Sequence, residues 1–459
     1  MAKGLTLARS FYLCGHRVVG ADAENHGIPC SGRFSRSLSR FYTLARPGSD
    51  AGQEGYIRSL VEIIKAEDID LWVSCSGVSS AAEDAEAKQI IEASATLGCR
   101  CIQFDVATTM ELHEKDTFMR AAKRLGLPVP ETHDVTSHEQ VMNILRRGSG
   151  NGSGSDSGSG GGHKSFILKT VGVDDKHRAN MTLLPLPSWP ETERYVSRLP
   201  ISRTSPWIVQ QFIPGGQEFC THALVVRNEV RCFTACQSAE LLMHYEALSP
   251  DSALYKAMLD FTREYVARHS SSKGVGEMTG HLSFDFMVED VAVSASKYER
   301  RVYAIECNPR AHTAVVLFAQ HGAEMEAMVA AYISATDAVS RDKHRDSNGE
   351  NPRDVMQISP PVNTLPRYWL AHDLVSLVLQ PLVRLVFSGD WIAGAELVKG
   401  SIKLLEHILT WKEGTFEAWD PMPAFWLYHV YWPLTILSAL WRGVRWSRVN
   451  VSTTKMFLC

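Results

Sequence analysis

The segment Tyr303-Ala-Ile-Glu-Cys-Asn-Pro-Arg-Ala-His312, with Phe284-Asp285-Phe286 one strand upstream, constrains this chain more than any other. Side chains two apart in a strand point the same way, so an apolar strand ending in Glu306-x-Asn308 sets a carboxylate and an amide oxygen on one face. Asp285 on a neighbouring strand completes an oxygen-only set. Such a set suits Mg²⁺, which takes few protein carboxylates and leaves its other positions to water and substrate phosphates. Arg310 extends the face and offers a planar fork for phosphate oxygens. Together these residues read as a nucleotide-phosphate site. The plainer alternative is an ordinary strand end whose Asn-Pro-Arg is turn chemistry.

At 459 residues the chain exceeds one typical core, and roughly two to four structural units are expected. Composition is that of a soluble globular protein, and a formal net charge of −4 argues against a dedicated nucleic-acid binder. The ten cysteines are scattered, without the doubled Cys-x-x-Cys spacing of a zinc site, so free thiols in a reducing, cytoplasmic compartment are expected. The first residues lack the apolar run and small-residue cleavage site of a signal peptide.

Phe425–Trp441 is apolar and aromatic but shorter than the roughly 20 residues of a membrane span, and it contains His429 and Pro433. A buried helix is expected there and no transmembrane span, although Arg442 and Arg445 also suit an interfacial helix.

Periodicity predicts a helix over Leu5–Leu13, a strand Val18–Ala21, a helix Tyr56–Glu67, a strand Leu71–Cys75, a helix Ala81–Leu97 and a strand Cys101–Phe104. This alternation indicates a parallel α/β layer over residues 1–109. Such a layer normally opens with a strand, and the expectation is that its first strand is missing before Met1. A second unit, 110–335, starts near Met110, and its helix from Lys115 stops at Gly126-Leu-Pro-Val-Pro130. Its Gly/Ser tract at 148–162 reads as a disordered surface loop. Strand signals follow at Phe166–Thr170, Trp207–Phe212, Thr221–Val226, Val230–Ala235, His281–Val288 and Arg301–Glu306. A charged, mobile connector is expected over 336–360, and a Trp-rich helical region over 361–459.

The order of these parts resembles the ATP-grasp fold: Lys115 opening a helix, Lys169 in a strand, a strand leading into Gly215-Gly-Gln-Glu218, then Asp285, Glu306, Asn308 and Arg310. The resemblance covers Met1 to about residue 335 and implies an α/β plus α+β architecture. An N-terminal parallel α/β domain would precede two lobes that clamp ATP. It implies that Lys115 and Lys169 contact ATP phosphates, that the backbone around Gln211 binds the adenine edge, and that Glu218 binds the ribose. Asp285, Glu306 and Asn308 match the Mg²⁺ ligands, with Mn²⁺ an allowed substitute. Arg310 matches the arginine that stabilises charge on the phosphorylated intermediate.

Many of the family carry a glycine-rich flap after the strand lysine. Here Val171–Arg178 holds one glycine, and Lys176 and Arg178 are the alternative phosphate contacts. The segments Tyr368–Asp373, Asp420-Pro-Met-Pro423, Tyr431-Trp-Pro433 and Asn450–Thr453 are similar to ATP-grasp ligases of natural-product pathways, nearest the mycosporine-glycine synthases and those of fungal secondary-metabolite clusters.

The activity this implies is phosphorylation of a small acceptor, at a carboxylate or enolic hydroxyl, followed by attack of an amino acid's amine. Two other classes stay open: a nucleotide-binding scaffold that has lost catalysis, and a small-molecule kinase. His312, placed beyond Arg310 on the same face by strand spacing, is the candidate for the proton step, with His222 and His281 as further candidates. The C-terminal Trp-rich helices are expected to pack in the core. Closing a substrate pocket, forming a homodimer surface or attaching to a membrane surface are the alternatives.

Overall fold

The protein is described from a computed structural model, which defines residues 1–24, 27–46, 52–77, 80–148, 164–170, 182–214, 216–238, 243–271, 276–294, 297–337 and 357–458. The chain divides into two compact units. One comprises Met1–Thr109, Phe219–Ser283 and Asn308–Cys459; the other comprises Met110–Glu218 and Phe284–Cys307. The continuous block expected over 110–335 is therefore divided between the units, and the C-terminal helices belong to the first of them. The reason lies in three long strands whose residues count partly to one unit and partly to the other.

The first unit opens with α1 (Ala2–Leu13), β1 (Val19–Asp22), β2 (Arg40–Thr43), α2 (Gly52–Glu67), β3 (Leu71–Val73), α3 (Ala81–Ala93) and β4 (Arg100–Ile102). Strand β1 pairs in parallel with β2, and β3 with β4. The expected parallel α/β arrangement is present, as two separate pairs. Tyr56, Ile57, Leu60 and Ile64 of α2 pack on Ile91 of α3 and Cys99 and Cys101 beside β4. Their i, i+1, i+4, i+8 spacing is the apolar stripe of a helix lying on a sheet. The cysteines within the described residues are free thiols.

Helix α4 (Val106–His113) leads into α5 (Lys115–Arg124), β5 (Thr132–Val135), α6 (His138–Gly148), β6 (Phe166–Thr170), α7 (Trp189–Val196) and β7 (Trp207–Gln211). Strands β5, β7 and β6 form an antiparallel sheet in that order. Phe166, Leu168, Trp207 and Val209 face α6 and α7 in one core cluster. Strand alternation therefore turns Lys169, Ile208 and Gln210 to the other face. Sequence reading missed α6 and α7, which are short and whose polar residues mask the apolar stripe. The Gly/Ser tract and most of the 336–360 connector lie outside the described residues.

Strand β8 (Gln217–Val226) pairs antiparallel with β9 (Glu229–Gln237), and the chain continues through β10 (His244–Tyr245), α8 (Ala253–Ser270), β11 (Gly280–Ser294) and β12 (Lys297–Asn308). The four long strands run in the order β12-β11-β8-β9. Glu218 and His222 share β8, whereas the sequence reading put them on successive elements. Strand β12 ends at Asn308, because Pro309 has no N–H to continue a ladder. The strand spacing that aligned Arg310 with His312 is therefore absent. His312 instead caps a 3₁₀ turn, Thr313–Phe318, by accepting the Ala314 N–H at Nδ1.

After α9 (Ala323–Ile333) and β13 (Arg367–Tyr368) come α10 (Leu370–Ser388), α11 (Ile392–Thr410), β14 (Lys412–Glu413), α12 (Met422–Trp426), α13 (Trp432–Trp441), β15 (Trp446–Asn450) and β16 (Lys455–Leu458). Trp369, Leu427, Tyr431 and Trp432 join the core of the first unit, as expected for part of the Trp-rich region. The buried helix expected at Phe425–Trp441 is only half right, since Leu434, Leu437, Leu440 and Trp441 are exposed. Helix α10 is long and apolar enough to cross a membrane by length and composition, and little of it is buried. Scattered Asp373 and Arg384 interrupt its apolar run in the sequence.

Candidate active site

In the second unit the site is built on the sheet face opposite the α6/α7 core. Lys169 Nζ donates to Gln210 Oε1 at 2.7 Å. Gln211, on the other face, is tied to Glu131: its backbone N–H donates to the Glu131 carbonyl at 2.8 Å, and its Oε1 accepts from the Glu131 N–H at 3.2 Å. Lys115 is the first residue of α5, where a cation opposes the helix macrodipole and local propensity does not favour it. Its ammonium lies 2.8 Å from Glu306 Oε2. A residue placed against local preference and held by a specific partner marks a position chosen for something other than the helix.

Asp285 stands on β11 between the fully buried Phe284 and Phe286, and the pleat turns it away from those rings. The ring of Phe284 packs 5.7 Å from that of Phe118, which fixes α5 on β11. Desolvation, and then the negative charge of Glu306, push the Glu218 carboxyl above its ordinary range, while Lys169 and Lys115 pull the other way. Two carboxylates and two ammonium groups thus share one electrostatic neighbourhood.

In the first unit Asn308 Oδ1 accepts from Arg310 Nη2 at 2.9 Å. Behind them lies a buried basic group that sequence reading missed: Lys3. Its Nζ donates to the carbonyls of Ser76 at 2.6 Å and Ala311 at 3.0 Å. Burial first, and then the charge of Arg310, lower this ammonium to about 7. The available signal was a lysine one turn before the apolar stripe of α1, which by itself reads as solvent-facing.

Three histidines surround it. His222 Nδ1 accepts the backbone N–H of His312 at 3.3 Å, and His281 Nε2 meets the Tyr332 hydroxyl at 2.7 Å. Burial, followed by the charge of Lys3, lowers His222 to about 3. Burial also holds His281 and His312 well below the ordinary imidazole range, aided at His281 by His222 and at His312 by Arg310. All three rings are neutral near pH 7, and His312 Nδ1 is engaged as a cap.

The structure thus brings Lys115, Lys169, Glu218 and Glu306 together in one unit and Asn308, Arg310 and His312 together in the other. Glu306 and Asn308 lie two residues apart on β12. Val171–Arg178, with its alternative phosphate contacts Lys176 and Arg178, lies outside the described residues.

No protein-family model matches the chain, and no curated protein matches it. Several solved structures are similar to it. The biotin carboxylase–β,γ-ATP complex from Campylobacter jejuni is 12% identical, with 73% of this chain and 69% of that one covered and a TM-score of 0.49. The N5-carboxyaminoimidazole synthetase from Staphylococcus aureus complexed with ADP is 12% identical over 73% and 74%, with a TM-score of 0.47. The L-amino acid ligase from Bacillus licheniformis is 14% identical over 66% and 68%, with a TM-score of 0.40. Likenesses of this strength carry no functional argument, which rests on the side chains themselves.

Proposed function

We propose that this protein is an ATP-grasp enzyme, an ATP-dependent ligase that forms a carbon–nitrogen bond between a small acceptor and an amino acid. The observation that carries the reading is the cluster of Lys115, Glu306, Glu218 and Lys169 on one face of the second unit. Hard carboxylates beside two ammonium groups are the donor set that Mg²⁺ and nucleotide phosphates require, and Asp285 adds a third oxygen donor. Residues Asp285, Glu306 and Asn308 would hold Mg²⁺, which when bound supplies neutralisation of phosphate charge.

Lys115 and Lys169 would hold the phosphates, the backbone around Gln211 the adenine edge, and Glu218 a ribose hydroxyl. The acceptor oxygen takes the γ-phosphoryl group as its bond to ADP breaks. The amine nitrogen then bonds to the acceptor carbon as phosphate leaves, and the amine's proton passes to solvent. Arg310 stabilises the charge on the phosphorylated acceptor, and such fixed donors are worth about 3 kcal/mol each.

His312 enters as a neutral ring that orients the amine, since it holds no spare proton near pH 7. The resemblance of Tyr368–Asp373 and Asp420–Pro423 to natural-product ligases supports a substrate from secondary metabolism.

Calorimetric titration with Mg·ATP tests the nucleotide site directly. Binding should require Mg²⁺ and weaken by about tenfold or more in Lys169→Ala, the loss of one charge-assisted hydrogen bond. Wild-type protein that does not bind Mg·ATP would remove the basis for the reading.

A further inference from the structure

We propose that the α10–α11 hairpin is a bilayer-docking element that lies in the membrane interface and holds the enzyme at a lipid surface. The inference is independent of the ligase reading. The two helices form an antiparallel pair. At its base Asp373 Oδ2 meets His407 Nδ1 at 2.6 Å, and Asp373 Oδ1 meets His244 Nε2 of β10 at 2.7 Å, pinning the hairpin to the body of the first unit. Midway, a Cβ on Gly400 would come within 2.1 Å of the Leu377 carbonyl oxygen, so the backbones touch. The turn is made by Gly389 in the left-handed conformation (φ +62°), with Arg384 bridging Asp390 at 2.5 Å and Glu396 at 2.7 Å.

Each helix carries an exposed apolar row at the same spacing. On α10 it is Val375, Leu379, Leu382 and Val386; on α11 it is Val398, Ile402, Leu405 and Leu409. Both rows run i, i+4, i+7, i+11; on α11 this is one face of an α-helix, whereas α10 is π-helical over Leu374–Leu379, so there only Leu382 and Val386 follow the α-helical period. The charges lie on a different face of α11, where Glu396, Lys399, Lys403 and Glu406 recur at i, i+3, i+7, i+10. At the tip, Phe387 is 83% exposed, Trp391 87% and Ile392 72%.

Soluble surfaces rarely leave so many large apolar side chains contiguous. Three observations favour lipid over a second copy as the occupant. Helix α10 stays apolar along its length and little of it is buried, which suits a helix laid into the headgroup boundary of a bilayer. The rows end in exposed aromatic residues, the side chains enriched at the headgroup level of a bilayer. Helix α13 repeats the pattern, with exposed Leu434, Leu437 and Trp441 followed by exposed Arg442 and Arg445, an apolar-aromatic face ending in cations that anionic headgroups attract. Charged faces retained on α11 fit a helix lying in the interface and oppose one that crosses it.

The test is co-sedimentation of the full chain with phosphatidylcholine vesicles, with and without phosphatidylserine, beside a Phe387→Ser, Trp391→Ser, Ile392→Ser variant. These side chains are exposed, so the variant should keep the wild-type circular dichroism and melting temperature. The wild type should pellet with both vesicle types and persist in high salt, and the variant should lose at least tenfold in vesicle binding. Should the variant fail to fold, tryptophan quenching by brominated phosphatidylcholine in the wild type, against Trp391→Phe, reads the same contact. Wild-type protein that stays in the supernatant overturns the proposal. So does vesicle binding unchanged in the folded variant, or a wild-type dimer that the variant converts to monomer without vesicle binding.

Discussion

Lys115 Nζ stands 2.8 Å from Glu306 Oε2, so the first residue of one helix is fixed by the carboxylate of a distant strand. The ammonium gains at Glu306 what the helix N-terminus withholds. Nucleotide phosphates are the natural competitor for that ammonium, and a divalent cation the natural competitor for that carboxylate. Glu306→Ala should therefore lower ADP release by on the order of 100-fold. Its melting temperature should stay near that of the wild type, because both partners are partly exposed. Steady-state ADP release alongside thermal unfolding separates the two effects.

Asp420, in the segment Asp420-Pro-Met-Pro423, is the buried partner of Arg9. Asp420 is fully buried and accepts from Arg9 Nε at 2.9 Å, Ser35 Oγ at 2.5 Å and the Arg36 N–H at 2.9 Å. Asp420→Ala leaves the Arg9 guanidinium buried without its counter-charge and should lower stability by about 3–5 kcal/mol. Urea denaturation of the variant checks the figure, and a loss below 1 kcal/mol would show that solvent reaches Arg9.

Much of this was legible in the sequence. The strand Phe166–Thr170 was read to the residue, and α1, α2 and α5 to within a few. Their apolar spacing and stop signals are local properties. The positions of Asp285, Glu306 and Lys169 on strands were legible for the same reason, and they stand out as site candidates because a polar group at the end of or inside an apolar strand violates the local pattern. Lys3 and Asp420 were not legible as an interior cation and an interior clamp, because burial is set by partners hundreds of residues away. The exposed rows of α10 and α11 were misread in the opposite sense. Apolar periodicity predicts that a face is covered and does not say by what.

Lys3 makes stability depend on pH in a definite direction. Its folded value of about 7 lies below the ordinary 10.5. Between those values the unfolded chain binds a proton that the folded chain does not, so stability rises with pH from about 7 to 10.5 and is lost as pH falls. Relative to Lys3→Met, the wild type should gain stability across that window and show a constant difference below pH 7. Denaturant midpoints measured from pH 6 to 10 read the slope, and parallel curves would contradict a buried Lys3.

The three buried histidines act in the acid range. The folded value of His222, about 3, lies below the ordinary 6.5, and His281 and His312 are displaced the same way. Each is neutral in the folded protein while the unfolded chain takes up a proton, so stability should fall steadily as pH drops from about 6.5 towards 3. Proton uptake on unfolding at pH 5 should fall by up to one in His222→Asn. Equal uptake in wild type and variant would mean that His222 is accessible to solvent.

The most direct test of the ligase assignment is ADP release by the purified full chain with Mg·ATP, a panel of amino acids and a pool of small carboxylic and enolic acids, with Glu306→Ala beside it. The ligase reading predicts ADP formation that requires both an acceptor and an amine and disappears in the variant. ADP formation indifferent to the amine would identify a kinase, and equal rates in Glu306→Ala would contradict the assignment of the site itself.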